Sequence, residues 1–209
     1  RRVTAQRIVV VGLGRRGNFD LESARRASAA VARRLQLLGV EQVSSIVHGA
    51  SAGDLATDAA AQALVEAAIL ATYRFDHYMS KAPKGSTALK KLTIVEADSK
   101  RLTAVRRGAK AGQQIAAGVC LARDLCNHPG NTATPTYLAQ QARRISRNNS
   151  LTCKILDEPA MRKLGMGALL GVSAGSAQPA RFIILEHNRP PGKKASTSKP
   201  LLFVGKGVT

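Results

Sequence analysis

The stretch that most constrains how this chain can fold is its last one, Leu201 to Thr209, which reads LLFVGKGVT. Four consecutive apolar residues, Leu201 to Val204, run into a lysine held between two glycines, Lys206 between Gly205 and Gly207. The pattern predicts a buried strand whose end delivers one amine to a backbone turn. Spacing alone leaves two readings open, a solvated charge at a strand end and a lysine placed for chemistry.

What surrounds that strand is limited by the side chains available. Aromatic residues make up 3% of the chain and tryptophan is absent, so the core has to be built from Ala, Leu, Val and Ile, which favours helices packed closely on sheets. With 209 residues and 44% apolar content, one large domain or a domain and a half can bury a sizeable core. No apolar run approaches the roughly 18 residues of a membrane span. The most Ala-rich stretch, Ala59 to Ala71, is interrupted by Gln62 and Glu66.

Three cysteines, Cys120, Cys126 and Cys153, make an odd count without CxxC spacing, which suggests neither a disulfide framework nor a zinc ribbon and points to a reducing compartment. The sequence opens without a methionine and without the charged start and apolar middle of a signal peptide, as an internal fragment or a processed product would.

The formal net charge is +19 and it is spread unevenly. Basic minus acidic residues run 9 − 3 over residues 1–50, 6 − 6 over 51–100, 8 − 1 over 101–150 and 9 − 3 over 151–209. Such an excess suits an anionic partner such as nucleic acid, or is balanced by acidic sequence elsewhere in a longer chain or assembly.

Along the chain, a strand is expected at Arg7–Val11, then GLGRRGNFD and a helix over Leu21–Leu38 with Asp20 accepting from its first free amides. Gly12, Gly14 and Gly17 spell GxGxxG, but the cap lies three residues beyond the third glycine. The next strand, Val43–Val47, ends in His48 and Gly49 without an acidic residue to hold a ribose, so no dinucleotide site is assigned. The first helix carries Arg25, Arg26, Arg33 and Arg34 on nearby faces, a basic strip without interleaved aromatics that reads first as a solvated face.

A second helix follows over about Asp54–Tyr73, with Asp54 as cap, then the charged loop YRFDHYMSKAPKGS and a strand at Leu92–Val95. A long helix is expected over about residues 102–126, and HPGNTATP closes it. Thr134 and Pro135 mark the next helix start, and a domain boundary is placed near His128. The remainder reads as strand Leu151–Leu156, short helix Glu158–Leu164, a Gly-rich apolar passage, strand Arg181–Glu186, and an exposed proline and lysine linker over Asn188–Pro200.

Gly171-Val172-Ser173-Ala174-Gly175 fits the letters of a GxSxG elbow, which needs a strand before the serine and a helix after it, whereas Pro179 and a strand-like FIIL follow. The four histidines, His48, His77, His128 and His187, form no HExxH, so neither a serine hydrolase nor a zincin is expected.

The segment from Lys154 onward reads KILDEPAMRKLGMGALLGVSAGSAQPARFIILEHN and, after the linker, LLFVGKGVT. LDE, KLGMGALL, GSA, PAR and VGKGVT occur in the order and spacing of the leucine aminopeptidase (cytosol aminopeptidase) family, which the chain resembles. ARDLCNHPGNTATPTYLAQQA and YRFDHYMSK extend the resemblance upstream. His128 and Ala174 depart from it, standing where the family often has an acidic or small residue and a glutamine respectively.

The resemblance implies an α/β fold: an N-terminal three-layer, macro-like α/β domain over residues 1–127, joined by the helix at about 102–126 to the first part of an α/β catalytic domain over 128–209. It implies a metallopeptidase that releases N-terminal residues, with leucine-like preference, from peptide substrates, using two divalent metal ions (Zn or Mn). It further implies a homo-oligomer, a hexamer, and a cytoplasmic or organelle-matrix location. The lysine of VGKG is a metal ligand in that family, and the matching position is Lys206.

An amine binds metal only when neutral, which at pH 7 costs roughly 4 to 5 kcal/mol from a pKa of about 10.4. The family's remaining ligands are carboxylates beyond the Thr of VGKGVT, and its second lysine and carbonate-holding arginine also lie downstream. No catalytic residue is therefore assigned within the chain. The other reading is a non-catalytic basic relative that binds nucleic acid through the N-terminal domain or serves as a scaffold component in a larger assembly.

Overall fold

The computed structural model describes residues 5–49, 55–81, 89–149, 151–187 and 200–207. The chain divides into two compact units, Arg1–Asp124 and Leu125–Thr209. Both mix helices with strands, which is the α/β class expected.

The first unit is organised around two helices. Helix α1, Leu21–Leu37, starts where its cap predicts: the Ser23 amide donates to Asp20 Oδ1 at 2.7 Å. Its buried face, Ala24, Ala27, Ser28, Ala32 and Leu35, recurs at helical spacing and packs on helix α2, Thr57–Thr72. Helix α2 buries Ala60, Ala61, Ala63, Leu64, Val65, Ala67 and Ala68, over more than half of its circumference. A helix with so wide an apolar arc belongs largely in the interior, with Asp58, Gln62 and Glu66 along its remaining face, and its small side chains let neighbours approach closely. Ser28, the one buried polar residue among those described, is satisfied because its hydroxyl donates to the Leu64 carbonyl at 2.7 Å. Asp54, expected to cap α2, lies outside the described residues, and the observed cap position, Ala56, offers no side-chain acceptor.

Strand β1, Gln42–Ser45, pairs in parallel with β2, Lys91–Ile94, in the register Gln42↔Lys91 to Ser45↔Ile94. Parallel neighbours need a long crossover, and α2 sits in the connection. Val47, placed in the strand by its pattern, lies two residues beyond it, in a core cluster with Ala60, Ala61 and Val105.

Helix α3, Leu102–Asn127, buries Val105, Gly108, Gly112 and Ala116. The two glycines bring it against the backbone of α2: a Cβ on Gly112 would lie 2.6 Å from the Gln62 carbonyl oxygen, and one on Gly108 would meet the carbonyl of Asp58. Polar ties reinforce the crossing. Arg107 Nη2 donates to Asp58 Oδ2 at 2.6 Å, the Tyr73 hydroxyl donates to Asp124 Oδ1 at 2.7 Å, and Arg123 lies 5.3 Å over the Tyr73 ring while donating to the Leu70 carbonyl.

The expected strand at Arg7–Val11 does not form. Residues 5–15 carry no strand, Ile8 and Val10 are exposed, and an open cavity of about 860 Å3 lies among this segment, α1 and β1. The apolar run is present but pairs with no described strand, and a strand exists only through its pairing.

In the second unit, helix α4, Pro135–Asn148, begins at the predicted signal, with the Thr134 hydroxyl accepting from the Tyr137 amide and Pro135 in the first turn. It buries Ala139 and Ala142 and packs on β3, Leu151–Leu156, and β4, Phe182–His187. These strands pair antiparallel, Leu151↔His187 to Leu156↔Phe182, one residue further along β4 than its pattern suggested.

Helices α5, Glu158–Lys163, and α6, Gly167–Ser173, follow β3. Met161, fully buried, centres a cluster with Leu156 and Ala180, joined by Leu169, Leu170, Phe182 and Ile184. The Gly-rich passage is thus partly helical, with Leu169 and Leu170 packed against that cluster. The linker expected over Asn188–Pro200 lies outside the described residues except for Pro200.

Candidate functional site

Lys206 sits in a segment, 200–207, without helix or strand and exposed throughout. Leu201, Leu202, Phe203 and Val204 are 81, 80, 86 and 86% exposed, and nothing lies within 4 Å of a Cβ built on Gly205 or Gly207. This corrects the expectation of a buried strand. The run has strand-like composition, but no described strand pairs with it and no described helix covers it. Burial depends on those distant partners and not on the run itself.

The donor chemistry of the described residues does not amount to a metal centre. Lys206 offers one amine, and an amine binds a metal only in its neutral form. Among the described residues no three His, Cys, Asp or Glu side chains converge. Of the four histidines, His128 Nε2 is 3.3 Å from the Tyr137 hydroxyl, with the rings edge to face. His77 stacks edge-on against Tyr78 at 4.9 Å, beside Phe75. His187 ends β4. His48 is half-buried on the wall of the cavity beside α1, where burial pushes its imidazole below the ordinary value.

Ser173 closes α6, and its hydroxyl donates to the Leu170 carbonyl at 3.0 Å. The helix precedes the serine, the reverse of a nucleophile elbow. Gly17 lies in a 3-10 turn, Arg16–Asn18, ahead of α1 and not in its first turn, so the glycines do not present that helix's amides to a pyrophosphate. The three cysteines are free thiols, with Cys120 pushed up by burial.

The basic strip on α1 is partly neutralised. Arg26 pairs with Glu22 at 3.2 Å, and Arg25 lies 3.9 Å from Glu22 and 3.8 Å from Glu66 of α2, which leaves Arg33 and Arg34 exposed. Sequence reasoning passed over a second set on α4, Arg143, Arg144 and Arg147. Its signal was the spacing of RRISR, which returns the third arginine to the face of the first two.

Two sequence models match the chain in consecutive order: the cytosol aminopeptidase family N-terminal domain over residues 2–82, and the cytosol aminopeptidase family catalytic domain over 120–209. The chain belongs to the cytosol aminopeptidase family. It is 39% identical over 208 residues to a probable cytosol aminopeptidase of Nitrosococcus oceani, covering 99% of this chain and 41% of that protein. A second, from Syntrophotalea carbinolica, is 38% identical, with 98 and 40% covered. The chain thus spans about two fifths of the length of the curated relatives it matches.

Among solved structures, the bottromycin maturation enzyme BotP in complex with Mn superposes with a TM-score of 0.74 at 29% identity, over 86% of this chain and 36% of that one. A tomato leucine aminopeptidase mutant gives 0.71 at 25% identity, over 82 and 34%. The family's N-terminal and catalytic regions both contribute to this chain. No described helix is long and apolar enough to cross a membrane.

Proposed function

We propose that this chain is the N-terminal domain and the opening part of the catalytic domain of a metal-dependent aminopeptidase that releases N-terminal, leucine-like residues from peptides. The observation that carries this reading is the match of both family regions in their family order. The proposed N-terminal domain, three-layered and macro-like, covers residues 1–127 and the catalytic part 128–209. The compact units, which divide between Asp124 and Leu125, support that placement.

Lys206 is proposed as one ligand of a pair of divalent metal ions, Zn or Mn, with carboxylates outside these residues as the others. The Mn complex of BotP supports a divalent ion. Such ions, when bound, polarise the scissile carbonyl and lower the pKa of a bound water. This chain's own contribution is positional. The glycines on either side of Lys206 carry no side chain to obstruct it, so its amine can be presented without interference from its neighbours. Oligomerisation as a hexamer and a cytoplasmic or organelle-matrix location belong to the same proposal, supported by the family.

The test uses the full-length protein supplemented with Mn or Zn. It is expected to hydrolyse a leucyl amide, and Lys206→Ala is expected to abolish turnover and lower the bound metal per chain, measured by mass spectrometry, with the thermal midpoint of the metal-free protein unchanged. Wild-type turnover and metal content in the Lys206→Ala protein would remove Lys206 from the site. Absence of any amidase activity in the metal-loaded wild type would remove the enzyme reading.

A further inference from the structure

Two arginines, one spacer and a serine occur twice in the chain, as Arg25-Arg26-Ala27-Ser28 on α1 and Arg143-Arg144-Ile145-Ser146 on α4. The fold treats the two copies oppositely. Ser28 is 5% exposed in the middle of α1, its hydroxyl donating to the Leu64 carbonyl of α2, and Arg25 and Arg26 lie beside Glu22 and Glu66. Ser146 stands in the last turn of α4, half-buried, and its hydroxyl donates within its own helix, to the Arg143 carbonyl at 2.9 Å. Arg143, Arg144 and Arg147 around it are exposed, α4 contains no acidic residue, and among the described residues none of these three arginines forms an ion pair.

We propose that Ser146 is a phosphorylation site for a serine kinase whose substrate groove carries carboxylates facing the residues two and three positions before the acceptor. Selection of that kind is charge complementarity: two guanidinium forks enter an acidic groove, and both forks are available on α4 while those of the α1 copy are engaged. The acceptor must also lie in a segment that opens. The last carbonyls of a helix have no partner within it, and here the Asn149 amide meets the Ser146 carbonyl only at 3.4 Å, so this turn opens locally at little cost while the middle of α1 does not. In the reaction the bond from Ser146 Oγ to the γ-phosphorus of ATP forms as the bond from that phosphorus to its bridging oxygen breaks. ADP leaves with that electron pair, and the hydroxyl proton passes to the kinase's catalytic carboxylate. The product places about two negative charges one turn from Arg143, on the same side of the helix, and offsets most of the positive charge of this stretch. The proposal goes beyond the aminopeptidase reading and uses none of its residues.

The full-length protein, incubated with ATP and the purified catalytic subunit of cyclic-AMP-dependent protein kinase, which accepts serines preceded by such a basic pair, tests it, with phosphate located by peptide mapping in a mass spectrometer. Ser146 is expected to approach full occupancy and Ser28 to stay unmodified, although synthetic peptides of residues 23–31 and 141–149 are both expected to be phosphorylated. Ser146→Ala is expected to remove the modification from that peptide of the protein. Arg143→Gln/Arg144→Gln keeps good helix formers on an exposed face, with circular dichroism to check its fold, and is expected to slow modification of Ser146 about tenfold or more through the loss of two charge-assisted contacts. An unmodified Ser146 in the folded protein overturns the proposal whatever the peptides do. So does modification of Ser28 at an equal rate, or an unchanged rate at Ser146 in the arginine variant. Should the double variant unfold, each single substitution is read the same way.

Discussion

At the scale of single residues, chemistry depends on what a side chain can reach. Lys206 has the flanking glycines its proposed role needs, yet an amine becomes a ligand only among carboxylates that hold the metal with it, so its substitution is expected to act on metal content before it acts on fold. His48 shows the opposite case, a titratable group whose surroundings are already in place. Burial lowers its folded pKa below the ordinary 6.5. Above pH 6.5 the imidazole is neutral in both folded and unfolded chains and pH does not discriminate. As pH falls below 6.5 the unfolded chain takes up a proton that the folded one resists, so stability declines until the folded pKa is passed. The thermal midpoint of wild type is therefore expected to drop more between pH 7 and 5 than that of His48→Gln, as followed by circular dichroism. Equal drops would show that His48 contributes nothing to the acid limb. Asp20 and Asp58 act in the same sense at lower pH: hydrogen bonds from Ser23 and Arg107 hold their carboxyls below the usual range, so their support is present above the unfolded carboxylate pKa and is lost as pH falls through the folded one.

At the scale of elements, the helix crossing of α2 and α3 is set by absent side chains. A Cβ at Gly108 meets the Asp58 backbone carbonyl, whose carbon would lie 2.7 Å away, and backbone on both sides cannot yield as a flexible side chain would. Gly108→Ala gains about 1 kcal/mol of helix propensity but forces the helices apart, and overpacking of this kind costs about 1–3 kcal/mol. A net loss of stability in urea unfolding is expected. Gly118, on the same helix with nothing within 4 Å of its Cβ position, provides the contrast, because Gly118→Ala is expected to raise stability by up to about 1 kcal/mol. If both changes shift the midpoint in the same direction, close approach is not what Gly108 provides. The glycines of α3 were visible in the sequence, but only the crossing tells which of them face a neighbour's backbone.

At the scale of the whole molecule, the net charge of +19 sets the conditions under which the rest operates. Few carboxylates are available to offset it, and the described ion pairs are mostly exposed, so like charges repel through solvent. Since salt shortens that repulsion to about 10 Å at 0.1 M, the thermal midpoint of this chain is expected to rise as sodium chloride is added up to a few tenths molar, and a midpoint that falls or stays level would show that self-repulsion is not a significant cost. The sequence by itself determined whatever depends on neighbours a few residues apart. The caps at Asp20 and Thr134, the helices α1, α3 and α4, the strand β3 and the family blocks LGMGALL and VGKGVT were all legible, because hydrogen bonds to a helix's first amides and the period of its apolar face are local. The tertiary structure alone decided what depends on distant partners. Ile8–Val11 and Leu201–Val204 are as apolar as the paired strands, yet among the described residues neither is paired or fully covered. Arg25 reaches Glu66 of the neighbouring helix, while the arginines of α4 remain exposed. A β-ladder needs a second strand and a buried face needs a cover, and no apolar run can encode either within itself.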